Sequence, residues 1–220
     1  MSRKSFRRLS EDIRRRNLVE ATLKVVEQHG LHGATVRKVA DHAGVSAGLI
    51  RHYFSSKDEL VRAAYAYLTG LLTSDAAQSA LQAGTQSGAA PDIALSRFIE
   101  ANVTPPNLSG SKVSLWATFI GRVRSEPGYS EIHRESYRDF LELLETLIYP
   151  VLAGHGRPMD PATCQIQAIA LNGLIDGLWL EGSLDHGLYN TDRLPAIALT
   201  AAEGILRLPD GTLSRHQTSS

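Results

Sequence analysis

The chain has 220 residues, with 23 Lys/Arg against 23 Asp/Glu and one cysteine, Cys164. That length suits one large domain or two small ones sharing a core. A single cysteine excludes an internal disulfide framework and suits a reducing cytosol, with Cys164 as an inert residue in a helical pattern. No apolar run is long enough for a transmembrane helix, and MSRKSFRRLSEDIRRR carries no apolar stretch after its charges, so neither a membrane span nor a secretory signal is expected.

The charge balance hides an asymmetry. Residues 1–60 hold 12 Lys/Arg against 7 Asp/Glu, and residues 61–220 hold 11 against 16. A basic end beside an acidic body suits one face for phosphates and another for something else.

Helical periodicity runs nearly throughout, and strand alternation is nowhere sustained. Ser10 is placed to cap a first helix, with Glu11 and Asp12 in its first turn. Leu18, Ala21, Thr22, Val25 and Val26 form its apolar stripe, and Gly30 ends it. Thr35 caps a second helix, and Gly44 suits the left-handed residue that stops it. Ser46 caps a third, which brings Leu49, Ile50, Tyr53 and Phe54. Ser56 and Glu59 form a capping box ahead of Leu60. Two helices crossing at a Gly turn over about residues 35–54 make a helix-turn-helix, the geometry that seats a helix in the major groove. The same pair can also be a mere packing corner.

A fourth helix is expected from Lys57 to about Leu81. Residues 84–91, GTQSGAAP, read as a loop. A fifth helix starts at Asp92 and stops at Pro105-Pro106. A sixth spans about Ser111–Ser125, a seventh about Ser130–Leu152, an eighth about Ala162–Leu184 and a ninth about Asp192–Leu208. Residues 209–220 read as a disordered tail. The expected fold is all-α, with a three-helix head over residues 1–56 and a six-helix body over 57–208.

The stretch from Gly44 to Leu60 resembles the TetR family of transcriptional regulators. Gly44, Val45, Ser46, Gly48, Tyr53, Phe54, Lys57 and Leu60 stand at the family's places, while Ile50 departs mildly from its Leu and Arg51 from its usual Tyr. The resemblance implies that Ala47 and Gly48 meet bases, while Thr35, Ser46, His52, Tyr53 and Lys57 hold phosphates. Arg51 can pair with a guanine edge or meet a phosphate, and residue type does not decide between them. Arg3, Lys4, Arg7 and Arg8 form a basic arm, suited to a DNA groove or to solvent.

The body is similar to the TetR subgroup that controls choline-to-glycine-betaine metabolism. Trp116 and Phe119, together with the run from Leu174 to Trp179, carry that likeness. A quaternary ammonium ion donates no hydrogen bond and is held by aromatic faces, often beside a carboxylate. Trp116, Phe119, Tyr137 and Trp179 can supply faces, and Asp176 or Glu145 a charge. Equally, aromatic residues at helical spacing can be ordinary core. Ala170, Gly173 and Gly177 put small residues on one face of the eighth helix, which suits close approach of a second copy, as in the resembled family.

Enzyme signatures are missing from the sequence. It has no phosphate loop, no Gly-x-Ser-x-Gly and no Cys/His metal spacing, and its eight histidines are scattered. The sequence therefore predicts a cytoplasmic, dimeric, ligand-responsive DNA-binding regulator that represses until a small molecule releases it. Its expected partners are an operator duplex, an effector and a second copy, with no cofactor, metal or membrane. Alternatives are the same regulator answering to a hydrophobic or acidic ligand, and a helical interaction protein that no longer binds DNA.

Overall fold

Short-range chemistry sets the helix ends of the N-terminal region. The computed structural model describes residues 3–85, 90–184 and 186–216. Among these are nine α-helices, two 3-10 turns and no strand. The helices are α1 (Arg3–Gly33), α2 (Val36–Ala43), α3 (Ala47–Tyr53), α4 (Lys57–Thr85), α5 (Pro91–Asn102), α6 (Gly110–Val123), α7 (Pro127–Gly154), α8 (Pro161–Ser183) and α9 (Leu194–Leu206). None is long and apolar enough to cross a membrane.

Helix α1 starts before Ser10, which sits inside it rather than capping it. Nothing between Arg3 and Ser10 breaks a helix, and the acidic pair that follows extends it. Gly30, at φ 66°, breaks the helical run as the sequence predicts. Thr35 Oγ1 accepts from the Lys38 N–H at 3.3 Å, and Ser46 Oγ from the Leu49 N–H at 3.2 Å. Gly44 adopts φ 66°, ψ 33°, the left-handed cap that a Cβ disfavours. Ser56 Oγ accepts from the Glu59 N–H, but the Glu59 carboxylate turns to the N–H and hydroxyl of Ser55, both at 2.7 Å. The capping box is thus displaced by one residue.

The chain forms two compact units. The first comprises residues 1–70 and 114–134, the second residues 71–113 and 135–220. The division expected near residue 56 is therefore not the spatial one. Leu60, Val61, Ala64, Tyr65 and Leu68 of α4 continue the apolar face of the head, so the head core takes in half of α4. Its centre holds Leu18, Val26, Val39, Ile50, Phe54, Phe119 and Tyr129.

The second unit is centred on Leu95, Phe98, Leu144, Ile148, Leu171, Ala198, Leu199 and Leu206. Residues 209–216 belong to it and are not the disordered tail the polar sequence suggests. Leu213 is fully buried, and Ser214–His216 forms a 3-10 turn. The cause is Glu203 of α9. Its carboxylate accepts the N–H groups of Gly211, Leu213 and Ser214 at 3.1, 2.7 and 2.8 Å. Burial alone would raise the pKa of this carboxyl, but those backbone donors hold it below its ordinary value. Residues 217–220, the remainder of the expected tail, lie outside the described residues, as do residues 86–89 of the expected loop.

Candidate nucleic-acid and effector sites

In the first unit the recognition helix has a buried side and an open side. Ile50 is buried, while Ser46, Gly48, Arg51 and His52 are exposed. Ala47 is half-buried against the core rather than exposed, because the first turn of α3 leans on it. A Cβ on Gly48 would meet only Ser46 Oγ, at an ordinary 3.7 Å. The chain itself therefore does not require glycine at 48, where it costs helix stability of about 1 kcal/mol.

The phosphate candidates frame this helix. Thr35 and Ser46 are exposed at the starts of α2 and α3, where their hydroxyls already serve as caps. Tyr53 is half-buried, with the His52 ring edge-on at 5.2 Å. Lys57 has a second occupation that the sequence does not reveal. Its Nζ donates to the carbonyls of Leu31 and His32, at 3.0 and 3.5 Å, closing the end of α1. The side chains of Arg3, Lys4, Arg7 and Arg8 lie outside the described residues.

The effector candidates divide between the units. In the first, Phe119 is fully buried and stacked with Tyr65 and Tyr129, at centroid distances of 5.1 and 6.4 Å. The three rings pack as one cluster, and Phe119, with no exposed surface, is part of the core. Trp116 is half-buried on the same cluster. The Tyr65 phenol lies 3.1 Å from His133 Nδ1. Burial pushes the phenol pKa up to about 12 and lowers that of His133, so both groups are neutral and the imidazole tautomer sets which of them donates.

In the second unit, Trp179 is buried, and its indole N–H donates to the Asn107 carbonyl at 2.9 Å. Tyr137 on α7 is exposed. Asp176, three residues before Trp179, accepts from Asn172 Nδ2 at 2.9 Å. Burial pushes the Asp176 carboxyl pKa up, against the opposing effect of that bond. The residue is nevertheless exposed, on the same open side of α8 as Gly173 and Gly177. Asn172 escaped the sequence reading, although its i, i+4 spacing to Asp176 could have found it.

Ala170, Gly173 and Gly177 are all exposed on α8. They alternate with Ile166, Ile169, Leu180 and Leu184, also exposed. Ile197, Thr200 and Gly204 line the open side of α9. A Cβ at Gly173, Gly177 or Gly204 would meet nothing in its own chain.

Similarity to known proteins now decides the family. Residues 18–64 match the bacterial regulatory proteins of the tetR family, and residues 91–207 match the C-terminal domain of BetI-type transcriptional repressors. The chain belongs to the TetR family. It is a ligand-responsive, DNA-binding transcriptional repressor of the BetI type. The HTH-type transcriptional regulator BetI of Serratia proteamaculans is 32% identical over 86% of this chain and 90% of its own length. The regulator of the same name from Stenotrophomonas maltophilia is 29% identical over 86% and 90%. Among solved structures, a regulator from Pseudomonas aeruginosa PAO1 superposes with TM-score 0.75 at 30% identity, covering 94% of this chain and 95% of that one. A regulator from Saccharomonospora viridis in complex with choline shares the fold, with TM-score 0.68 at 20% identity over 85% and 94% of the two chains.

Proposed function

We propose that this TetR-family repressor acts in the cytoplasm as a homodimer, holding an operator duplex until a small organic cation of the choline type releases it. The DNA half of the reading is carried by α3. Its caps are satisfied, its inner side is buried, and Gly48, Arg51 and His52 stand open beside Thr35, Ser46, Tyr53 and Lys57. Ala47 and Gly48 meet base edges, while the flanking residues hold phosphates and fix register. Arg51 reaches a base or a phosphate from its exposed place on α3.

Two heads on one palindromic site need a dimer, and the open side of α8 and α9 supports one. Isolated exposed apolar residues are ordinary, but a stripe of exposed apolar residues and uncrowded glycines, interrupted by Asp176, suits a second copy. Gly173→Leu is expected to leave the single chain folded and give monomers by light scattering at micromolar concentration. A wild type that is itself monomeric there removes the dimer from this reading.

Asp176 supports the cationic effector. Asp176 is exposed, yet its carboxyl pKa is raised, and a cation placed beside it would favour the ionised form. Tyr137 and Trp179, in the same unit as Asp176, remain aromatic candidates for cation–π contact, and the regulator from Saccharomonospora viridis binds choline in the same fold. The test is titration of choline and betaine aldehyde against the protein bound to a duplex from its own upstream region. Release at up to millimolar cation supports the reading. Asp176→Asn is then expected to weaken the effector about tenfold while DNA affinity stays unchanged. Release by an acidic or neutral apolar compound instead, with no response to either cation, overturns the cationic effector.

A further inference from the structure

Residue 15 lies outside the 18–64 stretch matched by the family, yet its side chain gathers the whole elbow between α3 and α4. Arg15 Nη1 donates to the carbonyl of Tyr53, the last residue of α3, at 2.9 Å. Its guanidinium carbon sits 4.3 Å above the centroid of the Phe54 ring. Its Nη2 lies 3.7 Å from Glu59 Oε1. The other Glu59 oxygen accepts the Ser55 N–H and hydroxyl. One cation and one carboxylate thus tie every residue from Tyr53 to Ser55 to helices α1 and α4.

A seven-residue helix needs such a tie. Alone it is far too short to be stable, and its last carbonyls have no partner within the helix. Ile50 and Phe54 anchor its inner side in the core, but an apolar anchor fixes depth better than angle. Arg15 answers a terminal carbonyl and stacks on the ring that follows, so it fixes angle as well. The elbow it holds joins His52 and Tyr53 to Lys57.

We propose that Arg15 is a positioning residue for DNA recognition, which together with Glu59 fixes the α3–α4 elbow and so sets the angle at which α3 meets base edges. This rests on the DNA-binding reading above. Base contacts tolerate misplacement poorly, of about 0.5 Å or 10–20°, while phosphate contacts are more forgiving. Loss of the tie should therefore erode sequence discrimination before it erodes binding.

The test uses the full chain and two duplexes of equal length. One is the tightest binder that the wild type selects from a random library, and the other is its scrambled version. A wild type that binds neither refutes the DNA-binding reading itself. Glu59→Gln separates positioning from electrostatics by sign. Removing a negative charge from a DNA-binding head should tighten both duplexes if charge alone matters. Positioning requires instead that the selected duplex weaken about tenfold while the scrambled one holds or tightens. Arg15→Met keeps the apolar stem over Phe54 and should lose discrimination to the same extent, with the salt slope of scrambled binding unchanged. Arg15→Lys should recover only part of it, because an ammonium cannot reach carbonyl and carboxylate together. The proposal fails on any of the following outcomes. Glu59→Gln tightens both duplexes. Arg15→Met weakens both equally with a slope shallower by about one, as for a direct phosphate contact. Or discrimination stays at the wild-type level in both variants. If both affinities fall together with the melting temperature, Arg15 merely supports the fold, and the proposal fails as well.

Discussion

The two units use their polar side chains differently. In the head, most polar groups act within a few residues of their own position. Thr35, Ser46 and Ser56 cap the helices they begin, and Glu59 reaches back four residues. In the second unit, beside local bonds of its own, several polar groups act across long stretches of chain. Trp179 bonds Asn107, Ser96 bonds the carbonyl of Leu213, and Lys112 pairs with Asp75. A unit held by local contacts leaves its functional residues exposed on short, rigid elements. A unit held by distant contacts can reorganise around a ligand, since each tie is a separate switchable contact.

The sharpest test of the second unit is to cut the side-chain tie that orders its C-terminal stretch. Glu203→Ala removes the acceptor for three backbone N–H groups around a fully buried Leu213. We expect a loss of about 3 kcal/mol, from buried donors left unsatisfied. Thermal unfolding should show it, and limited proteolysis should cut within residues 208–216 first. The pH dependence has a definite sign. The carboxyl is held below its ordinary value in the folded chain, so its stabilisation is complete above the unfolded pKa of about 4.3. It fades as the pH falls through the lower, folded value. Protonation below that removes the benefit from wild type, and the two proteins should converge in stability there.

This contrast also explains what could be read from sequence. The helix-turn-helix was legible because Thr35, Gly44 and Ser46 each act on neighbours three or four residues away. The small-residue face of α8 was legible because helical period alone places Ala170, Gly173 and Gly177. Phe119 was ambiguous, since an aromatic at helical spacing looks the same whether a face is open or the ring is fully buried beside Tyr65 and Tyr129. The ordered C-terminal stretch was hidden because nothing in PDGTLSRH announces a carboxylate waiting on α9. Arg15 was hidden for the same reason, as its partners lie 38 residues and more along the chain. The cut between units was missed because α4 is continuous in sequence while its two halves pack in different cores.

A milder test falls on Lys57, the residue with both a local-looking motif and a distant bond. Lys57→Met should weaken all duplexes alike and shallow the salt slope by about one unit. If its bond to the Leu31 carbonyl matters as well, the head should lose about 0.5–1 kcal/mol of stability. Calorimetry without DNA separates the two contributions. A slope equal to wild type with a lower melting temperature would make Lys57 a helix cap and nothing more.

The smallest effect sharpens the account of the second unit most directly. Arg207 ends α9 at φ 53°, ψ 40°, the left-handed region, where a side chain with a Cβ is strained. It is the sole non-glycine residue with positive φ among the described residues. The strain persists because its neighbours compel the turn. The Leu208 N–H reaches back to the Glu203 carbonyl at 2.9 Å, Leu208 is buried, and the Glu203 side chain holds the segment that follows. Arg207→Gly should therefore relieve the strain and stabilise the chain by about 0.5–1 kcal/mol, less the extra entropy glycine gives the unfolded chain. In the Glu203→Ala background the turn is no longer enforced, and the same substitution should gain less. Equal gains in both backgrounds would show that α9 ends where it does by local preference. The side-chain tie would then be a consequence of the turn rather than its cause.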